Sequence, residues 1–119
     1  MHAPCDATLL RIFVGEDDVF DDKPLYDQIV LKARDMGIAG ATVTRGLLAY
    51  GPASQEFQIR FRLSEDRPVV IEIVDAEEKI SAFLPVADAM IESGLIFTQR
   101  VSIVRYGRAK SVERGLRPA

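Results

Sequence analysis

Five carboxylates stand close together just after the first apolar run of the chain: Glu16, Asp17, Asp18, Asp21 and Asp22. Oxygen-rich groups of this kind can hold Mg²⁺ or Ca²⁺. The cluster lacks the alternating ligand spacing and the turn glycine of a calcium loop. It therefore reads as a solvated loop after a strand, and no metal is assigned. Glu16 is its most interesting member, because it marks the strand end. Arg60 and Arg62 alternate along a later segment, with Arg67 nearby. They can keep an exposed edge strand from aggregating or meet an anionic partner. His2 is the one histidine and Cys5 the one thiol, so a zinc site would need ligands from other subunits. Ser-His-Asp or Cys-His nucleophile chemistry could run only through His2, in a terminal segment. The residue types point to binding, and the protein is expected not to be an enzyme.

The bulk numbers agree. With 119 residues, 48% hydrophobic and 28% charged, the chain fits one globular domain, near the size where oligomerisation often adds stability. A net charge of −3 argues against a general nucleic-acid binder, which needs a basic excess. No apolar run approaches the roughly 18 residues of a membrane span. No signal peptide is visible at the N-terminus, and a lone cysteine fits a reducing compartment. A cytoplasmic location is expected.

Residues 8–14 (Thr-Leu-Leu-Arg-Ile-Phe-Val) read as a central strand covered on both faces. After the acidic loop, Asp22 can cap a helix starting near Pro24. Leu25, Ile29, Ala33 and Met36 recur at helical spacing, and Gly37 supplies a left-handed stop. A strand is expected over about 41–50. Strict alternation of Phe57, Ile59, Phe61 and Leu63 with polar partners predicts a half-exposed arm. Residues 69–74 form a second buried strand. Asp75 with Glu78 resembles an acidic capping box, opening a helix through Ile80, Phe83, Leu84, Ala87, Met90 and Ile91, with an expected kink near Ser81 from Pro85. The last strand is expected over 96–104. Beyond residue 107, a polar, basic tail (108–119) carries Arg108, Lys110, Arg114 and Arg117.

Two stretches echo each other. Residues 37–51 and 94–107 each begin at a glycine closing an apparent helix, pass through a β-branched strand with one arginine, and end at Tyr-Gly. The order β-α-β, excursion, β-α-β predicts an α+β fold, the ferredoxin-like double βαβ sandwich, with an antiparallel sheet and two helices on one face. Its open sheet face needs a cover, which partner subunits would provide.

At this point a family resemblance enters. Leu10-Arg11-Ile12-Phe13-Val14-Gly15-Glu16-Asp17-Asp18, Lys23-Pro24-Leu25-Tyr26, Gly40-Ala41-Thr42-Val43 and the segment from Ile71 to Ile80 occur in an order that resembles the PII-like signalling proteins. The match covers roughly residues 8–107, within a single domain spanning 1–107. It is nearest a bacterial and archaeal branch whose members mostly lack an assigned role. The resemblance implies a homotrimer with an adenine nucleotide in the clefts between subunits. It places Gly40, Ala41 and Thr42 on one side of the base and ribose, and Glu72, Ile73 and Val74 on the other. Arg105 matches a phosphate-binding arginine. Residues 52–67 stand where a flexible loop docks onto a target, which in such families is a membrane transport protein or an enzyme.

Departures from the pattern modify that expectation. The glycine- and lysine-rich phosphate loop is replaced by Glu92-Ser93-Gly94-Leu95-Ile96, and a second phosphate arginine falls at Ile103. Phosphate cradles need successive backbone N–H groups and a cation. AMP, ADP or a cyclic nucleotide therefore fits better than ATP. No tyrosine lies between Pro52 and Arg67, so tyrosine modification of the loop is not expected. A trimer without a small ligand, like the CutA-like proteins, is the alternative. A nucleotide-cleaving enzyme using Glu16 or Glu72 with a metal is a weaker third.

Overall fold

Residues 5–47 and 67–107 are described in the computed structural model of the protein. The expected 57–63 arm, nearly all of the 52–67 loop, and the 108–119 tail lie outside them. The sheet strands are β1 (Cys5–Gly15), β4 (Ala41–Arg45), β5 (Pro68–Asp75) and β6 (Leu95–Ile103), and the helices are α1 (Leu25–Asp35) and α2 (Glu77–Met90). The order across the sheet is β4–β5–β1–β6, and every neighbouring pair is antiparallel. Each βαβ unit thus has a strand of the other between its own two, and both helices cover one face. This is the expected ferredoxin-like arrangement.

Strand alternation explains the core. Leu10, Ile12 and Val14 of β1 oppose Ile73, Ile71 and Val69 of β5, and all six pack with Leu25, Ile29 and Ala33 of α1 and Ile80, Phe83 and Ala87 of α2. Fully burying an aliphatic or aromatic side chain contributes about 1.5–3 kcal/mol, so this layer dominates stability. Met36, expected to complete the α1 stripe, is exposed, and Ile38 is buried in its place. The left-handed turn at Gly37 (φ 81°) causes the exchange. Gly37 N–H donates to the Arg34 carbonyl and Ile38 N–H to the Ala33 carbonyl, a Schellman ending that folds Ile38 back onto the core.

Three local expectations need correction. The acidic loop contains a small hairpin, β2 (Val19–Phe20) paired with β3 (Lys23–Pro24). Asp21 and Asp22 form its two-residue turn at φ 53° and 63°, the double positive φ that such tight hairpins require. Asp22 is therefore not a helix cap: Pro24 occupies the N-cap position of α1 without a side-chain cap bond. Likewise Ala76, not Asp75, precedes α2, and no side chain caps it. Pro85 lies inside α2, which continues to Met90, so it does not start a separate helical segment. Its side is exposed.

Candidate functional site

Pairing of β4 with β5 brings together two of the expected groups. Ala41 lies opposite Ile73 and Thr42 opposite Glu72. Gly40, Ala41 and Thr42 are exposed on the outer edge of the sheet. A Cβ built on Gly40 would meet nothing within 4 Å, and its backbone lies outside the left-handed region. The described part of the fold therefore gives no reason for glycine there. On β5 the three candidates differ. Ile73 is 1% exposed in the core, whereas Glu72 and Val74 are half-buried on the opposite, uncovered face.

That face has a charged centre within apolar surroundings. Thr42, Glu72, Arg11 and Phe97 stand in one row across all four strands. Arg11 Nε donates to Glu72 Oε2 at 2.7 Å, and Nη2 approaches the same oxygen at 2.7 Å. The guanidinium also lies 5.4 Å from the Phe97 ring centroid, within cation–π range, and Phe13 packs beside Phe97 with centroids 6.2 Å apart. Phe13, Val70, Val74, Phe97 and Val101 are half-buried around the pair. Arg11 is the residue that sequence reasoning missed. Its signal was present, since it and Glu72 are the lone charges within the apolar runs 8–14 and 69–74, the pattern of a cross-strand ion pair. A double-mutant cycle with R11M and E72L, read by urea unfolding at fixed protomer concentration, is expected to give a coupling of about 1 kcal/mol.

Arg105 lies exposed just beyond β6, at the opposite edge of the sheet from Gly40–Thr42, so one chain does not bring all seven candidates into one cleft. Between α2 and β6 the expected site of a phosphate loop is a tight turn. An open depression of about 480 Å³ there is lined by Asp88, Glu92, Ser93 and Gly94 among others. Its charged side chains are acidic. Gly94 lies outside the left-handed region, so it is not a helix-closing glycine, and a Cβ there would stand 2.5 Å from the Phe13 carbonyl oxygen. Close approach of the turn to β1 explains it.

The end of the sheet near the acidic loop is tied by Glu16. Its carboxylate pairs with Arg45 at the end of β4, and its N–H donates to the Arg67 carbonyl at 2.7 Å. Asp18 turns inward on its own loop, its carboxylate accepting from Gly15 N–H at 2.9 Å. Among the described residues, no three His, Cys, Asp or Glu side chains cluster so as to hold a metal ion. No helix among them is long and apolar enough to cross a membrane. Arg60, Arg62 and His2 lie outside the described residues. At the other end of the sheet, Asp75 is 4% exposed. Its Oδ1 accepts from Ala76 N–H at 2.7 Å and its Oδ2 from Ala39 N–H at 2.9 Å.

This sheet order, with both helices on one face, defines a ferredoxin-like fold, one that solved PII-like proteins share. CPII of Thiomonas intermedia K12, a nitrogen regulatory PII-like protein, superposes with a TM-score of 0.57 at 17% identity over 84% of this chain and 90% of CPII, in a structure bound to ADP, AMP and acetate. The chain belongs to the DUF190 family, described as Uncharacterized ACR, whose model matches residues 7–103. A UPF0166 protein of Aquifex aeolicus (strain VF5) is 39% identical over 97 residues, 81% of this chain and 91% of the relative. The UPF0166 protein MJ1524 of Methanocaldococcus jannaschii is 42% identical over 92 residues, 76% of this chain and 84% of the relative.

Proposed function

We propose that this chain is a cytoplasmic, non-enzymatic PII-like regulator that forms a homotrimer and binds an adenine nucleotide in clefts between subunits. Binding would be signalled to a partner protein, a membrane transport protein or an enzyme, through the 52–67 loop. The observation that carries the reading is the edge formed by Gly40–Thr42 and Glu72–Val74, where Gly40 is a glycine that packing among the described residues does not need. A base or ribose passing close to the backbone is a physical reason for it. Arg105, at the far edge, would reach the same ligand from a neighbouring subunit. CPII, which shares the fold, binds ADP and AMP.

The tight, acidic-sided turn at Gly94 disfavours a triphosphate, so AMP, ADP or a cyclic nucleotide is the preferred ligand over ATP. Coupling to the loop requires the ligand to favour one loop state energetically, since occupancy alone shifts nothing. Isothermal titration with AMP, ADP, ATP and cyclic AMP tests the proposal, and absence of heat with all four sinks it. A second measurement isolates the edge. Gly40→Ala is expected to change stability by less than about 0.5 kcal/mol, as surface substitutions do, while weakening nucleotide binding. A ligand-free, CutA-like trimer gains some support from Ile73 being in the core and Glu72 being held by Arg11. On that reading Thr42→Ala and Arg105→Ala lose nothing measurable.

A further inference from the structure

The two halves of the proposed nucleotide edge come from segments far apart in sequence, and one buried carboxylate joins them. Asp75 immediately follows Glu72-Ile73-Val74 at the end of β5, and Ala39 immediately precedes Gly40-Ala41-Thr42. The Asp75 side chain is almost wholly buried, and its two oxygens bond separate segments: Oδ1 takes the N–H of Ala76 at 2.7 Å, Oδ2 the N–H of Ala39 at 2.9 Å. A second tie runs in parallel. Lys79, in the first turn of α2, donates from Nζ to the Gly37 carbonyl at 2.8 Å. The turn between α1 and β4 is thus held to the β5–α2 corner at both ends, Ala39 donating to Asp75 and Gly37 accepting from Lys79.

We propose that Asp75, seconded by Lys79, is a positioning residue for ligand binding. It fixes the entry of β4 so that Gly40–Thr42 face Glu72–Val74 at a set height. The inference rests on the nucleotide reading above. Strand β4 is exposed along its whole length and, among the described residues, hydrogen-bonds to the sheet only through β5. Such an edge has little packing of its own to hold it, and the carboxylate bond supplies a charge-assisted anchor where the strand begins. The same contact gives the ligand a route to α2, because a shift of Gly40 pulls on the carboxylate bonded to Ala76, the residue before that helix.

Asp75→Asn is the informative variant. It keeps the shape but replaces one acceptor oxygen with an NH₂ donor, so the side chain can accept from Ala39 or from Ala76 and not from both. Thr8→Val is the control. Thr8 is buried opposite Asp75 in the β1–β5 register and donates to Glu77 at 3.2 Å, so its loss perturbs the surroundings of the carboxylate while leaving the partners of its two bonds, the N–H groups of Ala39 and Ala76, in place. Two readouts apply to the full chain: amide hydrogen exchange at residues 39–42, and titration with AMP and ADP. D75N is expected to speed exchange at Ala39 and to weaken nucleotide affinity about tenfold, the scale of one lost bond to a charged group. T8V is expected to leave both unchanged while lowering the melting temperature. Unaltered exchange in D75N, or equal effects from T8V, overturns the proposal. If the wild-type protein binds none of AMP, ADP, ATP and cyclic AMP, the nucleotide reading fails on its own, and exchange at Ala39 still decides whether Asp75 holds the strand.

Discussion

Phe83→Ala will cost about 3–5 kcal/mol of folding stability, the range for truncating a buried aromatic ring. Phe83 is 0% exposed and the largest of the fully buried side chains. It lies on α2 in the cluster that joins both helices to Leu10, Ile12, Ile71 and Ile73. Its loss leaves a cavity between layers whose strands are fixed by hydrogen bonds on both sides and cannot collapse into it. For a domain with roughly 5–15 kcal/mol in total, the variant will be partly unfolded at moderate temperature. Urea unfolding at fixed protomer concentration gives the value, and a cost below about 1 kcal/mol, well under the usual range for such truncations, would show that the helix layer is not packed on the sheet as described.

Gly94→Ala is expected to cost about 3 kcal/mol, at the upper end of overpacking penalties, and to lower the melting temperature by about 10 °C. The added Cβ would sit 2.5 Å from the Phe13 carbonyl oxygen, with Ile91 Cγ2 at 3.3 Å and Val14 Cγ1 at 3.4 Å. The nearest atom is backbone in the central strand, so no rotamer change relieves the clash, and the start of β6 must move away from β1. Gly40→Ala makes the internal comparison, since nothing lies within 4 Å of that position. Equal melting temperatures for the two alanine variants would contradict the close approach of the α2–β6 turn to β1. The contrast also bears on ligand choice. A turn pressed this tightly onto the sheet has no slack to widen around a triphosphate, which supports smaller adenine nucleotides.

Much of the fold was legible because its signals are periodic. Apolar residues at every second place put Leu10, Ile12 and Val14 on one face of β1. Spacing of three and four put Ile80, Phe83 and Ala87 on one face of α2. The failures were at corners, where several backbone conformations suit the same residues. Asp21 and Asp22 looked like loop and cap but form a hairpin turn at positive φ. Met36 looked like core until Gly37 turned the chain and presented Ile38. The candidate site was legible only in part. The order of the motifs suggested where Gly40–Thr42 and Glu72–Val74 belong, but which of them face outward depends on strand phase, and that put Ile73 inside.

The sequence by itself determined the order of the four sheet strands and two helices, the faces of most of them, and the double βαβ plan, because these follow from local periodicity and from glycines and prolines with few allowed conformations. Only the tertiary structure decided the partnerships: Arg11 with Glu72, Glu16 with Arg45, Asp75 with Ala39, and Gly94 against the Phe13 carbonyl. Each joins residues far apart in the chain, and no local propensity encodes which distant group will stand opposite. That is fixed by strand register and layer packing, which exist only once the whole sheet has formed.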